Sequence, residues 1–340
     1  MPKKKKSTIK DIAEALGVSK SLVSFVLNGK AKEKRVSDGM AEKVLDMAKT
    51  MNYKVNYMAK SLRTGKSQTI ALIIADISNP FFAKFARFLE NEASKHNYKV
   101  IIANSDEKKE KFKAEIDLLR NRQVDGFILT PPIGSEKELL DLKNQKIPFV
   151  VVDRSFESVE SHTVIINNYK AGYSATERLI KNNRKNIAIL NVNNQLVTMQ
   201  QRVEGFQDAL TKNGLIVNQA LIKQLQFSHD KDLIKEAIEE ILTAGADGLL
   251  FTTGKLTVLG LECLKELGAR IPEDISVISF DDMDAYRIAY TPISAVVQPL
   301  EDMSREAIKT LVDQIEGGQG NDPFRKIMLD VNFIYRESCI

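Results

Sequence analysis

Two strand-like runs of this chain end in an aspartate: KIPFVVVD closes on Asp153 and RIPEDISVISFD on Asp281. A carboxylate in that place either caps the following turn or faces the crevice where ligands of α/β sheets bind. A third stretch, VSKSLVSFVLN (18–28), threads polar residues through an apolar stripe. Read as a helix, it buries Leu22 or Val23, Val26 and Leu27 and turns Lys20, Ser21, Ser24 and Phe25 outward. Such a surface suits recognition of a polyanion, not bond breaking. No nucleophile–base pair, metal-ligand spacing, Gly-rich phosphate loop or Cys-x-x-Cys stands out, so catalysis ranks last among the function classes.

The elements that position these residues fall into a head and a body. Residues 1–66 hold 16 Lys/Arg against 6 Asp/Glu, and the remaining 274 hold 33 against 39. The surplus extends past the lysines at 3–6 through Lys10, Lys20, Lys30, Lys32, Lys34, Arg35, Lys54, Lys60 and Arg63, so it belongs to a domain and marks a polyanion binder. The chain is 43% hydrophobic, enough for a sizeable core. No apolar run approaches the roughly 20 residues of a membrane span. The basic start has no signal-like apolar stretch, so a cytoplasmic protein is expected. Cys263 and Cys339 form no motif and are expected to stay thiols, and His96, His162 and His229 lie far apart.

In the head, Ser7 or Thr8 can cap a helix from about Ile9 to Leu16, with Ile12, Ala13 and Leu16 inward and Gly17 ending it in a left-handed turn. Ser19 can cap a second helix, broken at Asn28-Gly29. Ser37 can cap a third, buried through Met40, Val44, Leu45 and Ala48. Helix, tight turn, helix and supporting helix in a basic setting is the helix-turn-helix pattern, against a plain basic three-helix bundle. The stretch VNYMAKSLRTG (55–65) allows one or two helical turns, too few to be stable alone.

From Thr69 the pattern alternates: TIALIIA, YKVIIA, GFILT and PFVVVD are apolar runs separated by amphipathic helices, the rhythm of a buried parallel sheet. It restarts with NIAILN, GLLFTT and SVISFD. VDGFILT parallels ADGLLFT, and the two aspartate-ending runs parallel each other. A duplicated α/β unit implies two similar lobes with Asp153 and Asp281 facing one crevice.

TIKDIAEALGVSKSLVSFVLNG, followed by RVSDGMAEKVLDMAKTMNYKVNYMAKSLRTGKSQTIALIIADISNPFF, resembles the opening of the lac-repressor (LacI/GalR) family of bacterial transcription regulators, and the likeness continues to the C-terminus. The resemblance implies a small all-α helix-turn-helix head (1–54), a hinge helix and linker (55–67), and an α/β periplasmic-binding-protein-like core of two similar parallel-sheet lobes (68–340). Lobe 1 is expected over about 68–165 and 298–326, and lobe 2 over about 166–297 and 327–340. It implies a regulator that binds double-stranded operator DNA as a homodimer, takes a sugar or sugar derivative between its lobes, and needs no cofactor. The implied DNA contacts are Thr8, Ser19, Lys20, Ser21, Ser24, Phe25 and Asn28, with Tyr57, Ala59 and Leu62 from the hinge, where Leu62 would wedge into the minor groove. The implied effector contacts are Phe81, Phe82, Asp153, Thr198, Arg202 and Asp281, with one of the two phenylalanines expected in the core instead.

Departures from the family pattern are Phe25 where arginine is frequent, Leu22 for threonine, Val55 for proline, Asn167-Asn168 for Asp-Asn, and Gly254-Lys255 for Asn-Asp. Lys255 is either an exposed loop lysine or the sign of an anionic effector such as a sugar acid or phosphate. A solute-binding protein without DNA function is the alternative from a different class; the basic head argues against it.

Overall fold

The periodicity of the first fifty residues produces three short helices in the computed structural model, which describes residues 7–53, 65–193, 196–226, 230–317 and 324–340. The chain divides into two units, Met1–Ser67 and Gln68–Ile340. In the first, α1 (Ile9–Leu16) starts with a capping box. The Thr8 hydroxyl accepts from the Asp11 amide, and the Asp11 carboxylate accepts from the Thr8 amide at 2.7 Å. Gly17 ends the helix at φ 64°, a conformation glycine adopts without a Cβ penalty. Ser19 caps α2 (Lys20–Leu27) by accepting from the Leu22 amide at 3.2 Å. Ser37 occupies the N-cap position of α3 (Asp38–Thr50), but its hydroxyl makes no cap bond there.

Ile12, Val23 and Val44 are fully buried, with Ala13, Val26 and Ala48 around them. Burying each large apolar side chain is worth about 1.5–3 kcal/mol. Leu45, expected in this core, is 53% exposed. The inner stripe of α3 runs through Val44 and Ala48 with Ala41 and Met47 packed beside them, and residue 45 lies one step round the helix from it. Met40, also expected in this core, lines an open hollow beside α2 instead.

The second unit consists of two α/β lobes. Lobe 1 runs β1 (Thr69–Ile74), α4 (Pro80–Lys95), β2 (Lys99–Asn104), α5 (Lys109–Asn121), β3 (Gly126–Leu129), α6 (Glu136–Asn144), β4 (Phe149–Val152) and β5 (Thr163–Ile166). Lobe 2 runs α7 (Asn168–Lys181), β6 (Ile187–Asn193), α8 (Val197–Lys212), β7 (Ile222–Gln226), α9 (Lys231–Thr243), β8 (Gly248–Phe251), α10 (Gly254–Glu266), β9 (Ser276–Phe280), α11 (Ala285–Ile288) and β10 (Ser294–Val297). The chain then returns to lobe 1 for α12 (Leu300–Glu316) and β11 (Lys326–Leu329), and finishes in lobe 2 with β12 (Asn332–Ile334).

The strand orders are β2-β1-β3-β4-β5-β11 and β7-β6-β8-β9-β10-β12. All pairings are parallel except β10–β12. Central strands β3, β4, β8 and β9 are buried throughout, as both faces of each sheet carry helices. Two lobe boundaries differ from expectation. Ile166 pairs within the lobe 1 sheet, and Ile327–Leu329 pair in parallel with β5, so the last crossing falls after β11. These short strands carry no alternation that assigns them to either sheet.

Candidate effector cleft and DNA-reading face

Both sheets point their carboxyl ends at one cleft of about 320 Å³. From lobe 1 come Asp76 after β1, Asn79, Phe81 and Phe82 at the start of α4, Asp106 and Glu107 after β2, and Asp153 and Arg154 after β4. Lobe 2 supplies Leu196, Met199 and Arg202 on or near α8, Thr253 and Lys255 around the start of α10, Asp281 after β9, and Gln298 at the second crossing.

Arg202 is the centre of the arrangement and only 3% exposed. Its Nε donates to Asn168 Oδ1 at 2.8 Å, its Nη1 donates to the Thr252 carbonyl, and its guanidinium lies 3.6 Å from the centroid of the Phe280 ring. Burial pushes its pKa down, while Asp281 and Asp153 pull it back up. The helices that set this geometry approach closely. A Cβ on Gly172 of α7 would sit 2.3 Å from the Arg202 carbonyl oxygen, and one on Gly205 of α8 would sit 2.1 Å from that of Tyr169.

Asp153 and Asp281 follow equivalent strands and share a left-handed backbone, φ 67° and 68°. Burial raises the pKa of both carboxyls above the usual range, against the pull of Arg154 and then Arg202 on Asp153, and of Arg202 and Gln298 on Asp281. Gln298 Nε2 donates to Asp281 Oδ1 at 2.8 Å, leaving the buried Gln298 Oε1 without a hydrogen bond. On the lobe 1 side, the Arg154 guanidinium is held by both carboxylate oxygens of Glu107 and by the Pro131 carbonyl, while its buried Nε has no hydrogen-bond partner. That Nε faces the Asp153 carboxylate at 3.7 Å.

Phe81 and Phe82 form an edge-on pair with centroids 4.9 Å apart. Both line the cleft and both pack in the main hydrophobic cluster, so neither belongs to the core alone. Thr198 lies elsewhere. It is absent from this wall and lines a neighbouring hollow of about 360 Å³ with Ser155, Phe156 and Glu157. Lys255 is not an exposed loop residue either: it sits half-buried in the first turn of α10. A cation there opposes the helix dipole. Across the cleft it lowers the pKa of Asp76, whose principal stabilising partner is the Ser78 hydroxyl.

Arg154, Glu107 and Gln298 had no place in the sequence reading. Arg154 was legible only as the neighbour of Asp153, and Gln298 becomes a wall residue only once the chain crosses between lobes. Asn167 and Asn168, the departures from the family pair, divide two tasks. Asn167 caps α7 through the Lys170 amide at 2.9 Å, and Asn168 holds Arg202.

In the head, Lys20 and Ser21 are exposed, and Ser24 and Phe25 are half-buried on the outer side of α2. Asn28 Nδ2 donates to the carbonyl and hydroxyl of Ser24. The hydroxyls of Thr8 and Ser19 are engaged as caps. Tyr57, Ala59 and Leu62 lie outside the described residues.

A helix-turn-helix unit followed by two crossed α/β lobes around a polar, buried cleft defines a ligand-responsive DNA-binding regulator. The chain belongs to the LacI family. Residues 8–56 match the family described as bacterial regulatory proteins, lacI family, and residues 67–336 match periplasmic binding proteins and sugar binding domain of LacI family. It is 29% identical to the ribose operon repressor of Haemophilus influenzae, over 98% of each chain. Among solved structures it is similar to a transcriptional regulator CelR–cellobiose complex, with 26% identity, a TM-score of 0.71, and coverage of 98% and 100%. The lac repressor dimer bound to operator shares the fold at a TM-score of 0.85 and 20% identity, covering 99% and 100%. Among the described residues no helix is long and apolar enough to cross a membrane, and no group of His, Cys, Asp and Glu is disposed to hold a metal.

Proposed function

We propose that the cleft takes a neutral polyhydroxylated effector of about monosaccharide size, and that a homodimer of this chain reads operator DNA with α2 of each head. The observation that carries the effector reading is that the buried Arg202 and the half-buried Asp153 and Asp281 line one cleft with the Phe81–Phe82 pair. Carboxylates and a guanidinium make directional hydrogen bonds to hydroxyls, and an aromatic face covers an apolar sugar face. The wall holds five carboxylates against three cations, and Arg154 is already paired with Glu107, while Arg202 gives its Nε to Asn168 and one Nη1 bond to Thr252. A sugar acid or phosphate would meet that acidic surplus with Lys255 as its main cation, so the anionic alternative loses favour. The ribose and cellobiose in the names of two relatives agree with a sugar.

Operator contact is assigned to Lys20, Ser21, Ser24, Phe25 and Asn28 at the bases, with Thr8 and Ser19 near phosphates and Tyr57, Ala59 and Leu62 completing the interface from the hinge. Effector binding at the lobes would bias the DNA-competent state through its differential affinity for two states. Calorimetric titration of the full chain with neutral pentoses, hexoses and disaccharides, and with their phosphates, tests the effector class. A neutral sugar is expected to bind and to shift operator affinity in a gel-shift at fixed salt. Preference for a phosphorylated sugar overturns the reading.

A further inference from the structure

The turn after α2 runs GKAKEKR (29–35), with Lys30, Lys32, Lys34 and Arg35 against Glu33 alone. It folds back on itself, the Lys34 amide bonding to the Lys30 carbonyl at 3.0 Å and Arg35 adopting φ 55°. That brings the Lys34 ammonium to 5.9 Å from the centroid of the Phe25 ring, within the roughly 6 Å reach of a cation–π contact. The ring and the lysine line one open hollow with Leu22, Val36 and Met40. Glu33 holds the same ammonium at 3.0 Å, and that bond lowers the pKa of Glu33. Both side chains are about half exposed, at 43% and 57%, so the ion pair is weak and exchangeable for another acceptor.

At about 3.6 residues per turn, Ser21 lies on the face of α2 opposite the buried Val23 and Val26, with Asn28 on the same side just past its end. Ser24 and Phe25 lie on the two flanks, Phe25 on the one nearest the turn. We propose that Lys34 is a further specificity-determining residue. Seated over Phe25, it extends the reading face of α2 by one cation and donates to the O6/N7 edge of a guanine next to the base that Phe25 covers. The inference rests on α2 being the DNA-reading helix. A ring cannot make the hydrogen bonds of an arginine at position 25, but it packs on a thymine methyl and leaves the donor role to the lysine above it. Arg35 lines the same hollow without a contact to the Phe25 ring, while Lys30 and Lys32 lie outside it and serve as phosphate contacts.

Selection of bound DNA from a randomised library, with the full chain, tests this. The wild type is expected to select a defined half-site with a guanine at one position. Lys34→Ala should flatten preference at that position on the order of tenfold, and Lys34→Arg should keep it. Phe25→Ala should flatten the neighbouring position as well as this one, because the seat is lost. Lys32→Ala should lower affinity evenly over all sequences and reduce the salt slope by about one counterion. An unchanged selected site for Lys34→Ala, with or without a uniform loss of affinity, overturns the inference while leaving α2 as the reader. A wild type without sequence preference overturns the DNA-reading proposal itself.

Discussion

The two lobes share a strand order, a half-buried carboxylate at the same strand end and the same left-handed backbone there, yet they treat that carboxylate differently. In lobe 1 the guanidinium beside Asp153 is committed to Glu107, so the aspartate has Arg154 Nε only at 3.7 Å. In lobe 2 Asp281 accepts from Gln298, which arrives from the crossing segment, and faces Arg202. One lobe pairs the cation beside its carboxylate with a second acid of its own, and the other fixes its carboxylate with Gln298, brought from the chain's return path. A duplicated fold thus supplies the frame, while the polarity of each half is set by residues that differ between the two, Arg154 with Glu107 in one and Gln298 with Arg202 in the other.

The largest break in this contrast is expected from Arg202→Ala. Removing a partner from a buried charged arrangement typically costs about 3–5 kcal/mol. Asn168 Oδ1 and the Thr252 carbonyl lose their donor, and effector binding should become undetectable by calorimetry. Arg202→Lys should recover only part of the thermal stability, since an ammonium lacks the fork and the stacking on Phe280. Full recovery by lysine would reduce Arg202 to a simple charge.

A smaller effect should follow from Gly205→Ala, about 1–3 kcal/mol by overpacking, because the added methyl meets backbone of α7. Gly126→Ala in lobe 1 should cost less, as its nearest neighbour at 2.8 Å is the end of the Leu311 side chain. Urea unfolding of both variants measures the difference. Equal losses would mean that the α7–α8 contact is no tighter in effect than lobe 1 packing.

The mildest test is the aspartate pair. Asp281→Asn should weaken effector binding roughly tenfold, about 1.4 kcal/mol, and Asp153→Asn less. Burial raises both folded pKa values above the unfolded 3.8, so the stabilising contribution of each group is full below that value and is lost as pH rises through the raised one. At neutral pH the effector-free Asn variants should therefore melt at or above the wild type. Effector hydroxyls donating to the ionised carboxylates oppose the shift. Binding should strengthen as pH rises through the same window and release protons, measurable by calorimetry in two buffers of different ionisation enthalpy. Proton uptake would reverse the assignment of acceptor roles.

Much of this was legible because the signals were local. Apolar runs at β1, β3, β4, β8 and β9 are buried on both faces, and Thr8, Gly17 and Ser19 act at helix ends within three residues of what they cap. The strand-end aspartates were legible through the internal repeat. What escaped depends on contacts between distant segments: β5, β11 and β12 are three or four residues long, and Gln298 gains a role only against Asp281. Leu45 failed for a geometric reason, one position off the stripe, and Thr198 because a place in a motif does not fix which of two adjoining hollows a side chain faces.

Neither lobe is a continuous stretch of chain. Lobe 1 waits for α12 and β11, and lobe 2 for β12, so during synthesis both sheets stay unfinished until β11 and β12 have left the ribosome. The head is complete after its first fifty. A nascent chain would present a folded DNA-binding unit well before it had a cleft, and a premature stop near residue 320 would leave that unit beside two incomplete lobes, with nothing to report the presence of a ligand.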